Sequence, residues 1–269
     1  MQVTPDQATA AIAATHTGFN VANTLLFLPL TGFFARLLTR LVPEKDQQKE
    51  SEHARLDMRM LESPVIGIEQ SRLEVLRMAE VCKTMMEDLR EILVADGTDK
   101  KQIQSILDRE KSLDEVEHEV SAFITGLLES RAPHDVVDEA RQQLRMADEY
   151  ESVSDAISRV AKAQRRLRRA DLVLPEEEKR ELLKLHDAVY GYLTQVTELE
   201  IREEPGEMKE TASQSATIAQ QCKELMKNFL AKIPEIDPRI DVAYNRQIQS
   251  YRQVRDHVLN IAQTFAGEK

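Results

Sequence analysis

Tryptophan is absent from this chain, and aromatic residues of any kind make up only 4% of it. Glycine and proline are also scarce, at 8 and 9 of 269 residues. β-Sandwiches and β-barrels need frequent turns, and this composition supplies few residues that form them. The sequence therefore argues against those folds and predicts an all-α protein built from long helices with few breaks.

Basic residues are outnumbered, because 36 Lys and Arg face 47 Asp and Glu and leave a formal net charge of -11. Nucleic-acid binding relies on a basic surface that releases counterions, so we expect no nucleic-acid partner. The two cysteines, Cys82 and Cys222, lie among Met and Leu at helical spacing, which predicts a reducing compartment and no disulfide framework. No Ser-His-Asp elbow, glycine-rich phosphate loop or Cys/His cluster occurs, so we do not expect an enzyme.

The N-terminus carries no charged side chain from Gln7 to Ala35, if His is counted as neutral. A helix of roughly 20 apolar residues spans a bilayer, so we predict a transmembrane segment within residues 1–43 and a linker over 44–62. A signal peptide needs a basic start, which "MQVTPDQ" lacks. A buried helix of a soluble domain remains the alternative.

Positive charge follows the segment but does not precede it. The positive-inside rule then predicts a location in the inner, cytoplasmic membrane, with the long C-terminal part in the cytoplasm. The residues that carry this asymmetry are Arg36, Arg40, Lys45 and Lys49.

Polar residues interrupt the apolar segment at His16, Asn20 and Thr24. Their spacing places them on one helix face. Polar groups at membrane depth face protein or a cavity, which predicts a helix bundle whose other helices are missing from this chain. The alternative is that Asn and Thr lie at the level of the lipid headgroups.

From Ser63 onward, apolar residues recur at helical spacing and predict six helices. The third and sixth align without gaps, "EYESVSDAISRVAKAQ" on "SYRQVRDHVLNIAQTF". Helical periodicity alone does not explain Tyr150 on Tyr251 and Asp155 on Asp256. The match predicts two tandem three-helix bundles, over 63–171 and 172–269.

The segment "AIAATHTGFNVANTLLFLPL" resembles the last transmembrane segment of bacterial sodium/phosphate cotransporters. In that family a cytoplasmic PhoU-like domain follows, made of two tandem three-helix bundles. The resemblance implies the C-terminal, regulatory end of a multi-pass transporter of sodium and phosphate, lacking most of the transport core. A homodimer is left open. The alternative is a membrane-anchored PhoU-like signalling or scaffold protein in phosphate homeostasis.

PhoU domains carry a Glu/Asp-x-x-x-Asp motif that binds metal, and this chain has Glu110 with Asp114 and Glu151 with Asp155. Carboxylates four residues apart share a helix face, and two such pairs on neighbouring helices can surround a divalent or iron-type cation. Three further side chains extend this candidate site: Glu117, His118 and Asp148. The alternative is that these acids form a solvated face.

The second half departs from this motif. Ala212 and Ala216 stand where the first half has Glu110 and Asp114, and Arg252 stands where it has Glu151. Only Asp256 remains of the four carboxylates, so we predict metal binding in the first bundle alone.

Overall fold

Every regular element in the described part of the protein is helical. The computed structural model describes residues 5–27, 56–95, 100–129, 133–230 and 237–268. Seven α-helices occur in these ranges: α1 (Pro5–Phe27), α2 (Pro64–Val94), α3 (Lys100–Glu129), α4 (His134–Arg169), α5 (Glu176–Ile201), α6 (Thr211–Leu230) and α7 (Pro238–Phe265). Two short 3₁₀ helices lie at Met58–Glu62 and Pro205–Glu210. The all-α prediction and the six helices after Ser63 are confirmed.

Proline marks several of the helix starts. Pro64 occupies the first turn of α2, where the missing N–H costs no hydrogen bond. Pro238 does the same in α7, and the side chain of Asp237 accepts a 2.8 Å hydrogen bond from the backbone N–H of Arg239. This cap satisfies one of the donors that a helix start leaves unpaired.

The chain divides into two compact units, Met1–Ser51 and Glu52–Lys269. In the second unit, α2, α3 and α4 pack on one another, and so do α5, α6 and α7. The most extensive contact between two helices is that of α4 with α7. These helices run antiparallel, since Gln142 near the start of α4 reaches the carbonyl of Thr264 at the end of α7.

One apolar core runs through both groups of three helices. Tyr150 and Val160 of α4, and Tyr251 and Ile261 of α7, are all fully buried in it. The helices thus group three and three by packing, as the repeat suggests. Because the groups share a core, the domain boundary between residues 171 and 172 stays a prediction.

In the first unit, α1 falls short of the transmembrane helix predicted from the sequence. No helix in the described ranges is both long enough and apolar enough to cross a bilayer. The physical reason lies in the sequence, because Ala and Thr dominate the first half of α1 and much of the most apolar stretch follows Phe27. Residues 28–55, which include the rest of the predicted segment and most of the linker, lie outside the described residues.

Candidate functional site

The four predicted metal ligands lie on two adjacent helices, Glu110 and Asp114 on α3, and Glu151 and Asp155 on α4. Glu110 has partners across the helix interface. The Nζ of Lys162 lies 3.2 Å from its Oε1, and the hydroxyl of Ser158 donates to the same oxygen at 3.3 Å. An ammonium group thus already neutralises this carboxylate.

Glu151 and Asp155 lie in a more acidic surrounding. Arg159, one turn further along α4, forms an ion pair with Asp155. Partial burial raises the pKa of Glu151, and the negative charges of Asp155 and Asp114 raise it further. Asp114 and Asp155 are therefore close enough to Glu151 for their charges to affect its pKa.

The supplementary residues border the same neighbourhood. The imidazole Nδ1 of His118 lies 2.8 Å from Oε2 of Glu117. This hydrogen bond raises the pKa of His118, and the charges of Glu117, Asp114 and Glu151 add to the effect. Asp148 is close enough to contribute to the raised pKa of Glu151. The carboxylates of Glu117, Asp114 and Glu151 thus favour the protonated, positively charged form of His118.

A coordination set is not formed by these residues in the structure. Among the described residues, no group of three or more His, Cys, Asp or Glu side chains is arranged to hold a metal ion. Lys162 and Arg159 point their charges at two of the four predicted ligands. For a cation to bind all four carboxylates, both basic groups would have to move away. Metal binding at this site therefore remains a prediction.

The equivalent surface in the second half has more basic than acidic side chains. Asp256 lies 2.8 Å from Arg255 and 3.9 Å from Arg252. Ala212 and Ala216 are exposed and offer no ligand atom. This arrangement agrees with the predicted difference between the two halves.

A buried carboxyl that sequence reasoning missed lies between the two groups of helices. The hydroxyl of Tyr150 on α4 donates a 2.5 Å hydrogen bond to Oε2 of Glu200 on α5. Glu200 is only 4% exposed, and this burial raises its pKa to about 7. The side chain therefore titrates near neutral pH.

Tyr251, the repeat partner of Tyr150, also contacts a titratable side chain of α5. Its hydroxyl lies 2.9 Å from Nδ1 of His186, which is fully buried. Burial lowers the pKa of His186 to about 4, so the imidazole is neutral at physiological pH. Its Nε2 has no hydrogen-bond partner within the described residues.

The sequence contains a signal for both missed residues. His186 and Glu200 fall in phase with the buried apolar positions Leu182, Val189 and Val196 on α5. A charged or titratable residue on the apolar face of a helix marks a buried polar contact.

The seam between α4 and α7 is held by a second set of polar contacts. Glu149 accepts hydrogen bonds from His257 at 2.7 Å and from Asn260 at 3.1 Å. Gln142 donates to the carbonyls of Thr264 and Phe265 at the end of α7. These contacts cap the helix end and fix the register of the two helices.

A cavity of about 1230 Å³ is lined by seven acidic side chains and three arginines among other residues. One of these arginines, Arg72, is held by Glu69 at 2.9 Å and Glu203 at 3.3 Å. Burial raises the pKa of Glu139 in the same wall, and the charge of Glu69 adds to this. The excess of acidic over basic side chains in this lining does not favour the binding of free phosphate.

The polar stripe of α1 is present as predicted. The amide Nδ2 of Asn20 lies 3.2 Å from Nε2 of His16, and the hydroxyl of Thr24 donates to the backbone carbonyl of Asn20 at 2.9 Å. The three residues therefore share a helix face. Their burial against other membrane helices stays a prediction.

Comparison with known proteins places the helical unit in context. The sequence profile described as "PhoU domain" matches residues 75–164, which cover most of α2, all of α3 and most of α4. The chain carries a PhoU domain. The predicted PhoU-like region is thus confirmed where the candidate acidic site lies, whereas membership of the sodium/phosphate cotransporter family stays a prediction.

The curated relatives that the chain matches are named for the export of inorganic phosphate. The chain is 27% identical over 155 residues to the "Putative inorganic phosphate export protein YjbB" of Salmonella typhimurium. It is 26% identical over 96 residues to the protein of the same name in Escherichia coli. The chain spans only 26% and 17% of the lengths of these two relatives.

Solved structures share the PhoU fold with this chain. The structure titled "phosphate transport system regulatory protein PhoU" from Streptococcus pneumoniae has a TM-score of 0.66 at 14% identity. The match covers 75% of this chain and 94% of the Streptococcus pneumoniae chain. PhoU from Pseudomonas aeruginosa has a TM-score of 0.68 at 16% identity, with coverages of 76% and 96%. At these identities the comparison shows the fold alone.

Proposed function

We propose that residues 52–269 form the regulatory part of a phosphate-homeostasis protein and control the movement of inorganic phosphate through a transport core. The observation that carries this proposal is that one chain matches both the PhoU domain and proteins named for phosphate export. The sodium/phosphate cotransporter resemblance of residues 11–30 points to the same solute. We propose the cytoplasmic membrane as the location of the intact protein.

Regulation through conformation suits this unit better than chemistry. The cavity beside Arg72 has more acidic than basic side chains in its lining, which does not favour phosphate as a direct ligand there. The polar contacts between α4 and α7, centred on Glu149 and His257, connect the two groups of helices. A partner that binds one arrangement of these helices more tightly would shift the transport core between states.

A second candidate is a separate signalling protein that acts on partners in trans. The coverage of the solved PhoU proteins favours it, since helices like those described here account for 94% and 96% of those chains. A regulator of this kind requires no transport helices in its own chain.

Phosphate efflux tests the proposal. Cells lacking the gene would be loaded with radioactive phosphate and complemented with wild type or with Val160→Asp, which places a charge in the core. We expect wild type to restore controlled efflux and Val160→Asp to fail. Val173→Asp, at a position 73% exposed, is the matched control and should behave as wild type.

Expression of residues 52–269 alone separates the two candidates. A signalling protein acting in trans should restore control of phosphate when produced as this compact unit. A unit that acts on a transport core in its own chain should not. Equal phosphate efflux and content in the deleted and complemented cells would contradict both candidates.

A further inference from the structure

A groove with an apolar floor lies between the last turns of α4 and the first turns of α7. It is at the end of the helical unit that is distant from Leu56, the first residue described in that unit. Its volume is about 390 Å³. Leu167, Leu172 and Val242 contribute to its floor, and Val242 is 57% exposed. Leu167 is buried beneath it, so the apolar side chains form a concave surface with Val242 exposed to a partner.

Arginine side chains surround this floor. Arg166, Arg239 and Arg246 line the groove, although the chain as a whole has a net charge of -11. Arg239 is held by Asp237 at 2.7 Å. Arg166 and Arg246 are exposed and form no ion pair with any residue that the structure describes. Two cationic groups are therefore available to a partner.

The neighbouring Arg168 shows the contrast. Its guanidinium donates to the backbone carbonyl of Ala95 at 2.8 Å and also to that of Ile92. It thus caps the end of α2, where helices leave carbonyls unpaired. Neither Arg166 nor Arg246 caps a helix in this way within the described ranges.

We propose that this groove binds an acidic amphipathic helix of a partner protein. Apolar side chains on one face of such a helix would enter the groove, and carboxylates beside them would pair with Arg166 and Arg246. This is the helix-in-groove mode of recognition, in which anchors spaced three and four residues apart fill an apolar cleft. The arginines would set the orientation and the rate of association.

The shape and place of the groove favour a protein segment over a lipid surface. A bilayer presents a broad, flat face, whereas these apolar residues line a concavity. The groove also lies at the end of α2 that is distant from Leu56, and a helix of 31 residues separates its two ends by about 46 Å.

A synthetic peptide tests the proposal on the full chain. The probe is a fluorescein-labelled helix of Leu and Glu with leucines at a and d spacing, and its control has the same composition in scrambled order. We expect the amphipathic peptide to bind and the scrambled one to bind roughly tenfold more weakly or not at all. Added salt should weaken binding, because two exposed charges contribute to it.

Variants with matched controls locate the site. Arg166→Glu with Arg246→Glu should weaken peptide binding by roughly tenfold or more, whereas Arg141→Glu, exposed on the opposite end of α4, should not. Val242→Asp should abolish binding, and Val173→Asp, exposed but outside the groove, should leave it unchanged. Circular dichroism and a melting curve confirm that each variant is folded.

Four outcomes would overturn the proposal. These are equal binding of both peptides, equal loss with Arg141→Glu, and wild-type affinity in the double arginine variant. The fourth is the absence of peptide binding, whether or not another occupant is found. In that case, Arg166-dependent binding to phosphatidylglycerol vesicles would assign the groove to a membrane, and a dimer lost on Val242→Asp would assign it to a second copy of the chain.

Discussion

The phenol of Tyr150 and the carboxyl of Glu200 meet at 2.5 Å in the interior, where α4 of one helix group packs near α5 of the other. A carboxyl in this position costs free energy when it is ionised, because it has left water and has one hydrogen-bond donor in return. Two groups of helices are thus linked through a side chain that changes charge near neutral pH.

Glu200→Gln should stabilise the folded protein above neutral pH. Burial raises the folded pKa of Glu200 to about 7 from its ordinary value of 4.5. The unfolded chain therefore loses this proton first, and stability falls as pH rises between those values. Gln keeps an oxygen for Tyr150 and cannot ionise, so we expect a gain on the order of 2–3 kcal/mol at pH 8 and little change at pH 4.

Urea unfolding at pH 4, 6 and 8 measures this effect. Tyr150→Phe is the companion variant, because it removes the donor and leaves the carboxyl in place. We expect it to lower stability most at pH 8, where the carboxylate is ionised. A Glu200→Gln protein that is less stable than wild type at pH 8 would show that the buried charge is not costly.

His186 should make the protein sensitive to acid. Burial lowers its folded pKa to about 4 from the ordinary value of 6.5, so the unfolded chain binds a proton more readily. Stability from this group is complete above pH 6.5 and is lost as pH falls toward 4. His186→Asn should therefore show a smaller loss of stability between pH 6.5 and 4.5 than wild type.

The readout is the slope of unfolding free energy against pH and not the stability at one pH. Asn also removes the edge-on ring contact that His186 makes with Tyr251 at 5.7 Å, which lowers stability at every pH. His134→Asn is the control, since His134 is exposed at the start of α4. The prediction would fail if the two variants had the same dependence of unfolding free energy on pH.

Sequence patterns predict the helices well but not the contacts between them. Pro133 and Pro175 lie directly before the starts of α4 and α5, since proline disrupts helix interiors and is tolerated at helix starts. The repeat also placed Tyr150 and Tyr251 in equivalent positions, and both are fully buried.

The partners of these residues depend on packing between distant segments. Lys162 reaches Glu110 across 52 positions of the chain, and Glu200 reaches Tyr150 across 50. Periodicity describes one helix at a time and contains no information on which neighbour a side chain meets. The sequence therefore predicted that the acids of the candidate site lie on neighbouring helices, but it did not predict their ion pairs with Lys162 and Arg159.

Two helical glycines should respond differently to alanine. A Cβ on Gly191 of α5 meets nothing within 4 Å, whereas one on Gly67 of α2 would lie 3.0 Å from Leu127 and 3.1 Å from the carbonyl of Met60. We expect Gly191→Ala to raise unfolding free energy by about 0.5–1 kcal/mol through helix propensity. Gly67→Ala should gain less or lose stability, and an equal gain in both would contradict the close packing at Gly67.

The polar stripe of α1 should face protein in the intact assembly. His16, Asn20 and Thr24 share one face, and Leu26 lies off it. In membranes containing the intact protein, we expect Thr24→Cys to resist a lipid-phase thiol label that reacts readily with Leu26→Cys. Equal labelling of the two would favour a lone helix whose polar residues lie at the headgroups.

We predict that metal binds the first bundle, and the second half of the repeat supplies the control residues for this prediction. Asp114, Glu151 and Asp155 repel one another, and two carboxylates at about 4 Å cost on the order of 4 kcal/mol at an effective dielectric near 20. A cation relieves this repulsion and stabilises the folded unit, because the unfolded chain has no such site. We expect Mn²⁺, Fe²⁺ or Zn²⁺ to raise the melting temperature of residues 52–269. Asp155→Ala should abolish the shift, and Asp256→Ala should leave it intact.

Arg159 provides the sharpest variant, since it forms the ion pair with Asp155 that a metal ion must displace. Arg159→Gln removes that competitor and leaves more acid uncompensated. It should therefore lower the stability of the metal-free unit and increase the shift that metal produces. Arg252→Gln, at the equivalent surface of the second half beside Asp256, should do neither. If no metal shifts the wild-type melt and Arg159→Gln does not create a shift, the acids of α3 and α4 are a solvated face balanced by Arg159 and Lys162.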